Sequence, residues 1–194
     1  MAGFIRRVVT GHDKNGKTIV LSDEVVDRVY RNPVRPGHKS TDLWKTTAMP
    51  APITLEESDP CAAIMDFVPP MGVKIRISEL EPEVESIREL SQDEAASWYK
   101  DSGHTPASTF GKGGRHPLLH RTETVDYAVV LEGEMTLVMD DQDIVLKQGD
   151  VVVQRGTNHA WSNRSGRKVR MLYIIIDGCF DPELKALFDR EAEH

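Results

Sequence analysis

The stretch GDVVVQRGTNHAWSN, residues 149–163, joins a β-branched run, a turn and a histidine that heads the next strand. Val151, Val152 and Val153 predict a buried strand, Arg155, Gly156, Thr157 and Asn158 supply turn chemistry, and Ala160 and Trp161 resume an extended pattern. His159, delivered at that point beside an indole, is either a packing residue or a ligand.

Around this stretch, from Leu118 onward, short apolar segments recur every eight to ten residues, broken at Glu132-Gly133, Asp140-Asp141-Gln142-Asp143, Gln148-Gly149 and Arg164-Ser165-Gly166. That rhythm predicts an all-β barrel or sandwich. HRTETVDYAVVLEG, residues 120–133, reads as one extended strand with at most a bulge, which puts His120, Thr122, Thr124, Asp126, Ala128 and Val130 on one face. An imidazole and a carboxylate among small side chains make a cavity lining. Tyr127 has the opposite parity and reads as packing or interface.

Upstream, GVKIRISELEP, residues 72–82, alternates Val73, Ile75 and Ile77 with Lys74, Arg76 and Ser78, the pattern of a half-buried strand. Ser91 and Glu94 form a capping-box pattern that opens a helix through Ala95, Ala96 and Trp98. FIRRVVTG and KTIVLS predict two strands around the turn HDKNGK, and the proline-bearing segment from about Asn32 to Pro60 reads as an extended arm on the barrel or on a partner subunit. Asp181, Pro182 and Glu183 open a terminal helix. The expected division is an N-terminal part with strands and arm, residues 1–66, a barrel, 67–178, and a C-terminal helix, 179–194.

The chain has 194 residues and a formal charge of −7, which argues against a nucleic acid or an anionic membrane as partner. Two cysteines, Cys61 and Cys179, make no disulfide framework or cysteine metal site, and a reduced cytoplasmic setting is expected. Barrel edges and the arm suggest a homodimer. FGKGG, residues 110–113 and Gly114, lacks the Lys-Ser/Thr and helix of a phosphate loop.

Gly114 followed by five residues and His120, Asp126 followed by six residues and Gly133, and the 149–163 stretch with His159 followed by three residues and Asn163 resemble the two motifs of the cupin superfamily. The resemblance spans residues 114–163 and implies a single jelly-roll-like β-barrel of the conserved-barrel type, with a degenerate first motif. Thr122, or Arg121, stands where that motif has its second histidine, Asp126 where it has glutamate, and Arg155 where the second motif has proline. Carried over residue by residue, the resemblance implies that His120, Asp126 and His159 hold one divalent transition metal: Fe, Zn, Ni or Mn. His116 is a candidate replacement for the missing ligand. His116, Thr122, Ala128, Val130 and Trp161 are candidate pocket residues, and His104, His116 and Glu123 are candidate bases. Three functions follow as expectations: a metal-dependent oxygenase, a metal-dependent lyase or isomerase acting on a small carboxylate or carbonyl compound, and a non-catalytic small-molecule-binding barrel.

Overall fold

A computed structural model of the protein describes residues 5–32, 35–55, 59–61, 67–91, 93–95, 109 and 114–191. Its first two strands, β1 (Ile5–His12) and β2 (Thr18–Val26), form an antiparallel hairpin. The Asp13 carboxylate closes the connection by accepting the Asn15 and Lys17 backbone N–H groups at 2.8 and 2.9 Å, with Gly16 at φ 78°. Asx chemistry followed by a left-handed glycine is what the turn sequence supplies.

The body is a jelly-roll-like barrel of two sheets. β3 (Tyr30–Arg31), β4 (Lys39–Thr46), β5 (Val73–Leu80), β6 (Thr124–Glu132), β9 (Val151–Arg155) and β11 (Val169–Asp177) build a six-stranded sheet in the order β3-β4-β5-β11-β6-β9. β7 (Glu134–Val138), β8 (Asp143–Lys147) and β10 (Ala160–Ser162) build a three-stranded sheet in the order β10-β7-β8. Every pairing between these strands is antiparallel. α1 (Glu85–Arg88) follows β5, and α2 (Pro182–Glu191) ends the described chain, with the Asp181 carboxylate accepting the Glu183 N–H at 2.9 Å. The capping box also forms, because Ser91 Oγ accepts from Glu94 N while Ser91 N donates to Glu94 Oε2. Ala96 and Trp98 of the expected helix, and the FGKGG loop up to Gly113, lie outside the described residues.

Between the sheets, Leu80, Ala128, Val130, Met135, Leu137, Leu146, Trp161, Val169, Met171 and Tyr173 form one buried cluster. Most come from alternate positions of long strands, so the period of two carries the core. Gly133 turns β6 into β7 at φ 85°, where a Cβ would meet the Lys168 carbonyl at 2.8 Å. Only glycine fits that tight approach.

Four expectations about the strands need correction. Residues 39–46, read as part of an arm, are β4, paired with β5 inside the barrel's own sheet, so the barrel begins before residue 67. A register shift between Asp42 and Trp44 breaks the alternation that would have revealed this strand. His120 is not part of a continuous strand through Leu131: β6 starts at Thr124, and His120 makes a separate bridge with His159. Val151 and Val153 are 63% and 57% exposed, because β9 is the sheet's edge and these valines point outward.

The fourth correction concerns polarity. In β5 the polar residues Lys74, Arg76 and Ser78 are buried inside, whereas Val73, Ile75 and Ile77 are half-buried on the outer face. The register continues that outer face as Ile75, Ile174, Tyr127 and Val153 in one row, and as Ile77, Leu172, Val129 and Val151 in the next. An antiparallel sheet normally hides its apolar side and wets its polar side. Here the interior of the six-stranded sheet is polar because it walls a cavity.

Candidate functional site

That cavity, of about 120 Å³, is lined by inward side chains of β4, β5, β6 and β11 and by the segments carrying Arg35, His38, His120 and His159. His120, Thr122, Asp126, His159 and Trp161 all face it. The pocket residues Ala128 and Val130 do not: at 0% and 1% exposure they belong to the apolar core. They share Asp126's parity but lie farther along β6, where the two sheets close together.

His116 is also absent from the lining. It is buried and sets Nε2 2.9 Å from Glu83 Oε2, while its Nδ1 accepts the Leu118 N–H at 3.1 Å. Glu83 further accepts from Ser162 Oγ at 2.7 Å and Arg88 Nε at 3.2 Å. Burial works against the Glu83 carboxylate, but hydrogen bonds from His116 and Ser162 outweigh it and hold its pKa at about 2. Both ring nitrogens of His116 are thus committed to fastening the chain before α1 to the segment leading into His120. Glu123 accepts the Phe180 N–H at 3.1 Å and anchors the C-terminal segment. His104 lies outside the described residues.

The two site imidazoles are neighbours. His120 and His159 exchange both backbone hydrogen bonds, and their ring centroids are 4.3 Å apart. His120 Nδ1 lies 3.1 Å from the Leu118 carbonyl, and His159 Nδ1 lies 2.9 Å from the Thr157 carbonyl. A ring that donates Nδ1–H to a carbonyl carries its lone pair on Nε2. At His159 the Gln154 amide, whose Oε1 accepts the Gly156 N–H at 3.1 Å, sets its Nε2 2.7 Å from the Thr157 carbonyl and 2.9 Å from the same Nδ1, so that nitrogen faces both an acceptor and a donor. Burial lowers the His159 pKa to about 4, so the ring is neutral at pH 7. Trp161 stands edge-on to His159 at 5.7 Å and to Tyr173 at 5.4 Å.

Asp126 pairs with Ile175 and Gln154 in the body of the sheet. Burial raises its pKa to about 6, against opposing contributions from a Thr124 hydrogen bond and the Arg76 charge. Its Oδ1 is buried with no hydrogen-bond partner among the described residues. An orphaned carboxylate oxygen facing a cavity is costly unless something else meets it there. Thr122, at the position of the missing second histidine, bonds its hydroxyl to Thr124 Oγ1 at 2.8 Å.

The donor chemistry, two nitrogen bases with Nδ1 held by carbonyls and one orphaned carboxylate oxygen, fits a divalent cation. The spacing does not complete one: among the described residues no group of three His, Cys, Asp or Glu side chains converges on a common ion position. The physical reason is register, since Asp126 sits within β6 while the His120–His159 bridge lies beyond that strand's start.

Sequence reading passed over the residues that make the cavity polar. Arg35, His38, Ser40, Arg76, Ser78 and Tyr173 line it. Ser40 Oγ bonds Ser78 Oγ at 2.8 Å and His38 Nε2 at 3.1 Å, and Asp42 holds Arg76 through Nε and Nη2 at 2.6 and 3.2 Å. The available signal was the Lys74, Arg76, Ser78 face of β5.

Residues 107–175 match the family model described as the cupin domain. A phomopsin biosynthesis cluster protein C' of Diaporthe leptostromiformis is 52% identical over 66 residues, 33% of this chain and 35% of that protein. The oryzines biosynthesis cluster protein J of Aspergillus oryzae is 42% identical over 101 residues, 45% of this chain and 56% of that protein. A cupin-domain-containing oxidoreductase of Aspergillus ruber is 28% identical over 183 residues, 91% of this chain and 75% of that protein. The chain thus spans about a third of the length of the first of these relatives and about half of the second.

Proposed function

We propose that this chain is a cupin-type enzyme whose barrel cavity takes a small organic molecule bearing a carboxylate or carbonyl, in a reaction of oxygenase or lyase/isomerase type. The observation that carries this reading is Asp126: a buried carboxyl with a pKa of about 6 and an orphaned oxygen, facing the same cavity as two paired imidazoles. Two relatives that carry names from biosynthesis clusters, and one named an oxidoreductase, support an enzyme acting on small molecules.

In this proposal His120 and His159 offer Nε2 to a divalent transition metal (Fe, Zn, Ni or Mn), and Asp126 offers an oxygen. Such an ion supplies Lewis acidity or, as iron, a place for oxygen. The chain's own residues do the rest. Leu118 and Thr157 carbonyls fix the imidazoles, and Trp161 walls the cavity.

A non-catalytic binding barrel is the second reading, favoured by the absence of a three-ligand cluster among the described residues and by Thr122 being tied to Thr124. Elemental analysis of the purified protein beside His159→Ala separates the two. A stoichiometric metal lost in the variant supports the enzyme; no metal in either protein after reconstitution supports the binder.

We also propose a homodimer through the outer face of the six-stranded sheet. Its rows of Ile, Val, Leu and Tyr side chains are apolar where a solvated sheet is polar, and a two-fold pairing covers the same rows on both copies. A reduced cytoplasmic setting and a small molecule as the other partner complete the proposal. Among the described residues no helix is long and apolar enough to cross a membrane.

A further inference from the structure

The C-terminal helix α2 meets the barrel at the two segments that carry the site imidazoles. From Pro182 to Arg190 only Phe188 is half-buried, and the other side chains are exposed. The Arg121 guanidinium lies over the Phe188 ring, with Cζ 3.6 Å from the ring centroid. Phe188 also meets the Phe180 ring, 5.0 Å between centroids at an interplanar angle of 73°. A cation on an aromatic face and an edge-to-face ring pair are both attractive arrangements, so the helix is pinned through these two rings.

Phe180 closes on the turn before His159. At Gly156, φ 61°, a Cβ would stand 2.6 Å from Phe180 Cε1 and 3.0 Å from the Thr122 carbonyl, so the bare glycine is held between the ring and the segment after His120. The same glycine donates its N–H to Gln154 Oε1, and Gln154 Nε2 reaches the Thr157 carbonyl and His159 Nδ1. On the other side, Arg121 sits in sequence between His120 and Thr122, which both line the cavity, while its own guanidinium goes to Phe188. The Glu123 carbonyl accepts the Gly178 N–H at 2.9 Å, and Glu123 Oε1 accepts the Phe180 N–H at 3.1 Å. Residues 178–188 therefore grip the 121–123 segment and the turn at Gly156 at once.

We infer that Phe180 and Phe188 are positioning residues, through which the C-terminal helix clamps the His120 and His159 segments together from outside the cavity. This rests on the reading that the two imidazoles share a ligand site, and adds what sets their spacing. The His120–His159 pairing is an isolated bridge, outside the named strands. Such a bridge lacks the cooperative support of a long ladder, so packing on its flanks decides how readily it opens. Phe180 bears on the His159 side, and Phe188, through Arg121, bears on the His120 side.

The test compares the full chain with Phe188→Ala and Phe188→Tyr, reading amide hydrogen exchange by NMR and Zn(II) affinity by competition with a chromophoric chelator. In Phe188→Ala the His120 and His159 amides are expected to exchange roughly tenfold faster while those of Met171 and Tyr173 in β11 stay within about twofold, and Zn(II) binding is expected to weaken roughly tenfold. Phe188→Tyr, which keeps the aromatic face, is expected to behave as wild type in both readings. If alanine unfolds the chain, Phe188→Leu keeps the bulk, removes the aromatic face and gives the same comparison with a smaller rise. Exchange at the bridge that is unchanged, or that rises equally in β11, overturns the clamp, as does undiminished Zn(II) affinity in the alanine variant. A wild type that takes up no Zn(II) overturns the metal reading instead, and the exchange comparison then upholds or overturns the clamp by itself.

Discussion

His120 and His159 donate backbone N–H groups to each other's carbonyls at 3.0 and 2.9 Å, so the contact that brings their rings together is made by the main chain. Truncating either ring leaves that bridge intact. His120→Ala and His159→Ala are therefore expected to keep the fold, with His159→Ala losing about 1–3 kcal/mol for its buried ring. Both variants are expected to lose metal uptake. Thermal melts and elemental analysis check the two halves of this expectation.

Asp126 has a worked-out pH signature. Its folded pKa of about 6 lies above the ordinary carboxylate value of 3.8, so between these values the folded state holds more proton than the unfolded one. Its contribution to stability is complete below about pH 4 and is lost as pH rises through 6. Asp126→Asn is expected to be more stable than wild type at pH 7, by up to about 3 kcal/mol for two pK units. The gap should shrink as pH falls from 6 to 4. Denaturant unfolding of both proteins across that range measures it, and because His159, with its lowered pKa, runs the opposite way, the difference between the curves is the quantity to read.

Glu83 and His116 form a buried pair whose contacts are structural. Glu83→Ala strands the His116 ring in the interior and is expected to cost about 3–5 kcal/mol. His116→Ala should cost less than Glu83→Ala, because Glu83 keeps Ser162 and Arg88, and should leave metal content unchanged. Loss of metal in a folded His116→Ala protein contradicts this assignment.

On the outer sheet face, Val153→Lys places a charge in the apolar row containing Tyr127 and Ile174. Sedimentation equilibrium is expected to give twice the chain mass for wild type and the single chain mass for the variant. A monomeric wild type contradicts the proposed homodimer.

Where sequence and structure agree, the reason is local chemistry. The turn at Asp13 and Gly16, the Ser91–Glu94 box and the Asp181 cap each depend on residues a few positions apart, and all three form. Buried Thr124 and Asp126 follow from strand parity, and His159 at the head of β10 follows from the turn before it. What the sequence hid depends on long-range placement. Alternation in β5 identified the strand but not which face was inside, because a polar cavity inverts the usual assignment. Arg35 and His38 come to the site from a segment with no periodicity, through a turn whose position is set by β4 pairing with β5. The structural role of His116 depends on Glu83, 33 positions away in sequence, which no local pattern places beside it.

The most direct test of the central claim is nitrogen-15 NMR of the histidine side chains during titration with Zn(II). The account predicts that the Nε2 signals of His120 and His159 shift together and saturate at one equivalent. Nε2 signals that stay in place while other histidines respond contradict the site proposed for this barrel.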